Sequence, residues 1–366
     1  MKVLHIDTGR DWRGGQRQVL FLHEGLLEAG IESVIVCNAE GKFTGHTSEN
    51  LIPMKFKGEA DMSFLRELKK IIRAEKPDIV HTHDAHALMP ALLAKVFGLK
   101  YKLINTRRID FSINKGYFKR KKYDNRQVDV IVAISEAIRR MLINDGIEPE
   151  KLKVINSGVR FPKGVDYEVY KAIREKYDLN GKYVVGTVAS ISETKDHYTM
   201  IDAFAKFQKL VNESVLMMVG GGHMKAEIEA YAAKQDCADR IIFTGHTDKV
   251  YEHIAVFDVF AMSSKTEGLC TSIIDAMFMM KPIASTAAGG IPELVKHRFN
   301  GLLTPIQDSD ALACSFYEIY ENGDNVKKFG QNGFHTSLKF SDSSMVSQYI
   351  RLYTGLLGYS LNSASS

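Results

Sequence analysis

Short apolar runs alternate with amphipathic stretches along the whole chain. The first run is "KVLHI", Lys2 to Ile6. A polar loop, "DTGRDWRGGQ", follows. Val19, Leu22, Leu26 and Leu27 then recur at three- and four-residue steps, the period of one helical face. "ESVIVCN" is the next strand, completing a β-α-β unit of the kind that builds parallel sheets. The alternation continues through "LRELKKIIRAEKP" (helix), "DIVHTH" (strand), "ALMPALLAKVFG" (helix), "KLINT" and "VDVIVAIS" (strands), "EAIRRMLINDG" (helix) and "KLKVINSG". It starts afresh near Tyr183 with "YVVGTVAS", "HYTMIDAFAKFQKLV", "SVLMMVGGG" and "MKAEIEAYAAKQD", then the strands "RIIFTG", "VFDVFAMSS" and "KPIAST". The pattern predicts an α/β protein of two Rossmann-like, doubly wound domains, 1–162 and 163–343. The charged, strand-poor stretch from Phe161 to Lys182 reads as their junction, and a last helix, about 344–358, as packing back onto the first domain. Two such domains facing each other would form a cleft at the carboxyl ends of their sheets, where open α/β sheets bind ligands.

The length of 366 residues fits two ordinary domains. A net charge of only +4 makes any basic function local. Cys37, Cys237, Cys270 and Cys314 stand far apart with no CxxC pair, which reads as reduced and cytoplasmic. The opening "MKVLHIDTG" is a strand and a glycine rather than a signal peptide, and no apolar run approaches the roughly 20 residues that span a bilayer. One segment is locally basic. "NKGYFKRKKYDNR" interleaves Lys115, Lys119, Arg120, Lys121, Lys122 and Arg126 with Tyr117, Phe118 and Tyr123. Residues 115–126 would suit an anionic membrane surface, placing the protein peripherally on the inner face of the cytoplasmic membrane. The alternatives are an ordinary solvated helix and nucleic acid, and no nucleic-acid partner is expected.

Several loops at strand ends carry candidate chemistry. "DWRGGQRQ" places Gly14 and Gly15 at a helix start among Arg10, Arg13 and Arg17, a setting for phosphate. "VGGGHMK" does the same with Gly220 and Gly221, and lacks the G-x-G-x-x-G spacing of a dinucleotide site. Lys195 follows the first strand of the second half and would neutralise a diphosphate as a point charge. In "KTEGLCTSIIDAM" the loop residues Gly268, Leu269 and Cys270 lead into a helix beginning near Thr271, whose amides suit a pyrophosphate. Carboxylates there would repel phosphate, so Glu267 and Asp275 should face hydroxyl donors such as those of sugars. The competing reading, that both acids only complement the helix dipole, accounts for Asp275 better than for Glu267. "GGIPELV" has a first-turn proline, Pro292, and amides for the same pocket. "HTHDAH" brings His81, His83 and His86 together, which invites a metal reading against a structural or polar-pocket role.

The segment from "GGGHMKAEIEAYAAKQD" to "GGIPELVKHRFNGLL" closely resembles the donor-binding half of family 4 glycosyltransferases, which have the GT-B fold. The first half is similar in outline, through "RGGQRQVLFL" and "INSGV". The resemblance implies a retaining, hexosyltransferase-like enzyme that works without a bound metal or other cofactor. Its donor would be a nucleotide-sugar, with a UDP-sugar expected, and its acceptor a glycolipid or saccharide of lipopolysaccharide or another surface glycan. In the family's E-x7-E motif Glu267 matches the first acid, near the donor sugar, and Asp275 replaces the second, one methylene shorter. Lys195 matches the diphosphate lysine. Ser190 stands where the family usually has an arginine, so Arg10, Arg13 or Arg107 would supply the missing cation. Arg108 falls where many members have a histidine beside the reacting sugar, and His83 is an alternative for that role. Two other classes stay open: a nucleotide-sugar epimerase, which shares the GT-B architecture, and a metal-dependent hydrolase built on His81, His83 and His86.

Overall fold

The computed structural model of the chain describes residues 1–47, 49–113 and 117–359. They form two compact units, Met1–Arg160 joined by the segment from Ser341 onward, and Phe161–Phe340. In the first unit the strands are β1 (Lys2–Asp7), β2 (Glu32–Asn38), β3 (Leu51–Met54), β4 (Ile79–Thr82), β5 (Lys102–Arg107), β6 (Val130–Ala133) and β7 (Leu152–Val154). They pair in parallel in the order β3-β2-β1-β4-β5-β6-β7. In the second unit β8 (Tyr183–Val188), β9 (Ser214–Val219), β10 (Ile241–Gly245), β11 (Val259–Met262), β12 (Ile283–Thr286) and β13 (Gly301–Thr304) pair in the order β10-β9-β8-β11-β12-β13. Strand order therefore reverses at β1/β4 in one sheet and at β8/β11 in the other. These are the crevices in which doubly wound sheets hold ligands.

The expected Rossmann-like character holds in both units. Strands buried on both faces read as continuous apolar runs: Val3, Leu4 and Ile6 of β1 are fully buried. The helix Gly14–Glu28 turns Val19, Leu22 and Leu26 inward. The helix Asp342–Leu357 packs Met345, Val346, Tyr349 and Tyr353 against Val3, Phe21, Leu22 and Leu26, so it completes the first unit's core. Its approach to the helix Gly14–Glu28 is close enough that a Cβ on Gly25 would lie 2.5 Å from Val346 Cγ2. Ser341 caps this helix by accepting from the Ser344 amide at 3.1 Å, and Arg160 ties its start down through Asp342 and Glu24, each at 2.6 Å. In the second unit Phe204 and Phe207 of the helix His197–Gln208 meet Phe316 of the helix Ser309–Glu321 over Leu216 and Val259.

The supposed junction, Phe161 to Lys182, contains a helix, Tyr167–Lys176. Asp166 caps it by accepting from the amides of Glu168 and Val169. Ile173 is buried and Val169 and Tyr170 are half-buried on the same side, a short apolar face that charged residues obscure in the sequence. Two strands carry too little pattern to be foreseen. β3 is four residues with Pro53 inside, and it lies at the sheet edge, where a missing N–H is tolerated. β13 is the four residues "GLLT".

Candidate functional site

In the second unit the loops after β8, β11 and β12 are laced together around Glu267. Its carboxylate Oε1 is bonded by the ammonium of Lys195 and accepts from Ser264 Oγ at 2.8 Å. Its carbonyl accepts from the Gly290 amide at 2.9 Å. A side chain at Gly289 (φ +49) would strike that same carbonyl, so glycine is required there for the two loops to touch. Lys195 ends a tight turn, Glu193–Lys195, and its carbonyl accepts from Ser263 Oγ at 2.9 Å. The Lys265 amide donates to the Thr194 carbonyl at 2.8 Å. Glu267 and Lys195 are thus fixed through both backbone and side chain at the β8/β11 switch point. Both are largely buried, with side chains 9% and 19% exposed. An ion pair so shielded feels a lower dielectric than water and interacts more strongly with any charge brought to it.

Beside it the helix Thr271–Phe278 begins at Cys270, in the left-handed region at φ 58, and no side chain caps its first turn. Its leading amides are therefore unclaimed by a cap and suited to an anion. Leu269 and Cys270 themselves turn inward, 2% and 7% exposed. Their side chains are packed into the unit, so a contact with a donor at these two positions would be made by the backbone, as the helix-start reading expects. Burial, then the charge of Glu267, pushes the Cys270 thiol up to about 12, so it stays protonated. Asp275, one turn into the helix, is buried and accepts from the Tyr251 hydroxyl at 2.6 Å. Gly220 and Gly222 owe their identity to the neighbouring backbone: side chains there would strike the carbonyls of Ala189 and Ile191. Gly221 faces open space, and its carbonyl accepts from the Ile191 amide at 3.0 Å. Ser190 is exposed on the adjoining loop, where its carbonyl accepts from His197 Nε2 at 3.1 Å.

The first unit gathers a second set at the ends of β1, β4 and β5. Arg108 lies over the helix start, where a Cβ on Gly15 would be 3.4 Å from its Cδ. Its Nη2 is 3.2 Å from His83 Nδ1, and His83 Nε2 is 2.9 Å from His5 Nδ1. His81 Nδ1 meets Tyr353 Oη and its Nε2 meets Thr106 Oγ1, both at 2.7 Å; Thr106 in turn meets Tyr349 Oη at 3.0 Å. Burial drives His5, His81 and His83 well below the usual histidine range, so all three are neutral. Asp84 pins the loop after β1 by accepting from Thr8 N at 2.7 Å and Thr8 Oγ1 at 2.9 Å. Asp7, bonded by Gln16 and the Gly9 amide, is pushed up to about 6 by burial and then by the charge of Asp84.

The structure brings Gly15, Arg108 and His83 together, and it replaces the third histidine of the expected cluster. His86 starts the helix Ala85–Val96 and points to Glu59 at 3.0 Å, whereas His5 joins His81 and His83. One ring nitrogen from each of these three lies within 4.8 Å of the other two, the spacing of a potential metal site. Arg10 and Arg13 are exposed and paired with Glu40 and Asp11, and Arg107 is turned to Tyr123 and the Phe111 carbonyl. Arg108 is accordingly the arginine that reaches the glycine-rich turn. The participation of His5, Tyr349 and Tyr353 carried no local signal in the sequence.

The basic segment is smaller than its sequence indicates. Lys115 and the side chains of Tyr117, Phe118 and Lys119 lie outside the described residues. Lys122 is buried, with its ammonium on Glu59 at 2.9 Å and the Ala85 carbonyl at 2.7 Å, and Tyr123 is buried too. Arg120, Lys121 and Arg126 are exposed. Among the described residues no helix is long and apolar enough to cross a membrane.

Two parallel, doubly wound units, each with an anion-suited helix start at its switch point, define the class: a GT-B fold. The sequence matches the family model for glycosyl transferases group 1 over residues 169–336 and that for glycosyltransferase family 4 over residues 12–161. The chain belongs to the family 4 glycosyltransferases. It is similar to the putative glycosyltransferase EpsD of Bacillus subtilis, 25% identical over 81% of each chain. It is also similar to the lipopolysaccharide core biosynthesis glycosyltransferase LpsE of Rhizobium meliloti, 24% identical over 96% of this chain and 98% of the relative. Among solved structures, Anabaena HepE in complex with UDP and glucose superposes with a TM-score of 0.86 at 19% identity, over 97% of this chain and all of the other. That likeness shows the fold.

Proposed function

We propose that this glycosyltransferase moves a hexose from a nucleotide-sugar to an acceptor hydroxyl, with retention at the anomeric carbon, in assembly of lipopolysaccharide or a similar surface glycan. The observation that carries the reading is the Glu267–Lys195 pair, held at the switch point beside an uncapped helix start. Lys195 would take up the charge that grows on the departing diphosphate, and the Thr271 helix amides would hold the phosphate. Glu267 would accept hydrogen bonds from the sugar, and Asp275 from the ribose. The anomeric C–O bond to phosphate breaks as the acceptor oxygen bonds from the same face, and the acceptor proton leaves with the phosphate oxygen. To the first unit the reading assigns the acceptor, with Arg108 and the amides of Gly14 and Gly15 as anion-holding groups and His83 beside them. The exposed Arg120, Lys121 and Arg126 are assigned to an anionic membrane surface.

A UDP-sugar is proposed as donor, supported by the UDP and glucose bound to HepE and by a 24% identical Escherichia coli relative described as a UDP-Gal-dependent galactosyltransferase. We propose further that no metal takes part. Both nitrogens of His81 and both of His83 are engaged within the protein, and Arg108 places a positive charge beside them. A thermal-shift panel of UDP-, GDP-, ADP- and CDP-sugars tests the donor, since a bound ligand raises the melting point by mass action. The UDP-sugars should shift it, and transfer should survive a chelator. Conversion of the donor's sugar to its epimer without acceptor would replace the reading with an epimerase.

A further inference from the structure

We propose that His5, on β1, is a positioning residue that fixes the tautomer of His83 and, through it, the place of the Arg108 guanidinium. The inference rests on the reading that Arg108 and His83 serve the first unit's ligand site. A guanidinium carries donors and no acceptor. The 3.2 Å contact between Arg108 Nη2 and His83 Nδ1 therefore runs one way, from arginine to histidine. His83 is buried among His5, His81 and Arg108 and is neutral, so its single proton sits on Nε2. That N–H donates to His5 Nδ1 at 2.9 Å. His5 is neutral as well, so its own proton is on Nε2, which is buried with no protein acceptor among the described residues. The direction of the whole chain follows from the arginine and cannot reverse.

No neighbour replaces His5 in this role. His81 stands closest, with ring centroids 4.0 Å from His83, yet its two nitrogens are taken by Tyr353 and Thr106. Without an acceptor at position 5 the buried His83 Nε2–H has no partner. The other tautomer relieves that by placing the proton on Nδ1, where it opposes the Arg108 donor and pushes the guanidinium away from Gly15. The requirement at position 5 is an acceptor atom three bonds from Cα, which asparagine's amide oxygen also provides and leucine does not.

The test uses the full-length chain with 15N-labelled histidine, and compares wild type, His5→Asn, His5→Leu and Arg108→Ala. Imidazole 15N spectra of wild type and His5→Asn should show His83 with a bare Nδ1 and a protonated Nε2, and those of His5→Leu should show proton on Nδ1. Transfer by His5→Leu should fall about tenfold, with His5→Asn near wild type, the size expected when one buried donor loses its acceptor. A wild-type His83 protonated on Nδ1, or equal loss in His5→Asn and folded His5→Leu, overturns the inference. Unimpaired transfer by Arg108→Ala overturns the assignment of the first unit's site instead, and the tautomer spectra still decide the role of His5.

Discussion

The Tyr251 hydroxyl donates to the Asp275 carboxylate at 2.6 Å, and Asp275 is itself only 4% exposed. The shorter stem of aspartate leaves the carboxylate fewer positions than a glutamate would have, and the phenol holds it in one of them through a charge-assisted hydrogen bond. Tyr251→Phe should raise the KM for the nucleotide-sugar about tenfold, as expected for a bond to a charged group worth about 1.5 kcal/mol, with kcat little changed. Steady-state kinetics with varied donor decide it. A wild-type KM in Tyr251→Phe, beside an impaired Asp275→Asn, would show that the acid needs no such help.

The Lys195–Glu267 pair has separable structural and chemical roles. Lys195→Met leaves a buried carboxylate without its cation, which should destabilise the second unit by about 3 kcal/mol or more. Lys195→Met combined with Glu267→Gln removes both charges and should recover most of that loss. Transfer should stay about a hundredfold or more below wild type in the single variants Lys195→Ala and Glu267→Ala and in the double variant. Denaturant unfolding and activity measured on the same preparations separate the effects. Restored activity in the double variant would mean that neither side chain does chemistry.

Much of this geometry was legible in the chain because it is local. Strand ends, glycine turns and helix starts lie within a few residues of Lys195, Glu267 and Gly14, so period and spacing point to them, whereas Arg108 stands out only through the family resemblance. What escaped depends on distance along the chain. Tyr353 meets His81 across 272 positions, and His5 meets His83 across 78. Neither contact leaves a mark on local composition. Part of the need for glycine is equally distant: side chains at Gly220 and Gly222 would strike the carbonyls of Ala189 and Ile191, which the local sequence does not reveal. The helix Tyr167–Lys176 reads as a linker because its apolar face is only Val169, Tyr170 and Ile173 in a stretch otherwise rich in charge.

The contact between Gly25 and Val346 predicts a size-coupled pair. Gly25→Ala should destabilise the first unit by about 1–2 kcal/mol, since overpacking outweighs the helix propensity gained. Val346→Ala in the same chain should relieve the clash and bring the melting temperature of the pair above that of Gly25→Ala alone. Strict additivity of the two changes would place the helix Asp342–Leu357 elsewhere than against the helix Gly14–Glu28.

Stability of the first unit should fall as pH drops below 6.5, and the sign follows from which state binds protons. His5, His81 and His83 stay neutral when folded, and regain the ordinary value of 6.5 when unfolded. Below 6.5 the unfolded chain therefore takes up three protons that the fold refuses. Asp7 works the other way: at about 6 when folded against 3.8 unfolded, it binds a proton in the native state between those values and offsets one of the three. Each uncompensated proton contributes about 1.4 kcal/mol per pH unit, so stability falls with pH for as long as the fold holds these histidines neutral, and the fall is shallower where Asp7 carries its native-state proton. Above 6.5 they leave stability flat. Trp12, the chain's single tryptophan, sits in this unit, stacked on His46 at 3.5 Å, and its fluorescence follows the transition. His5→Asn should reduce the slope below pH 6 by about 1.4 kcal/mol per pH unit. An unchanged slope would mean that His5 is protonated in the folded protein.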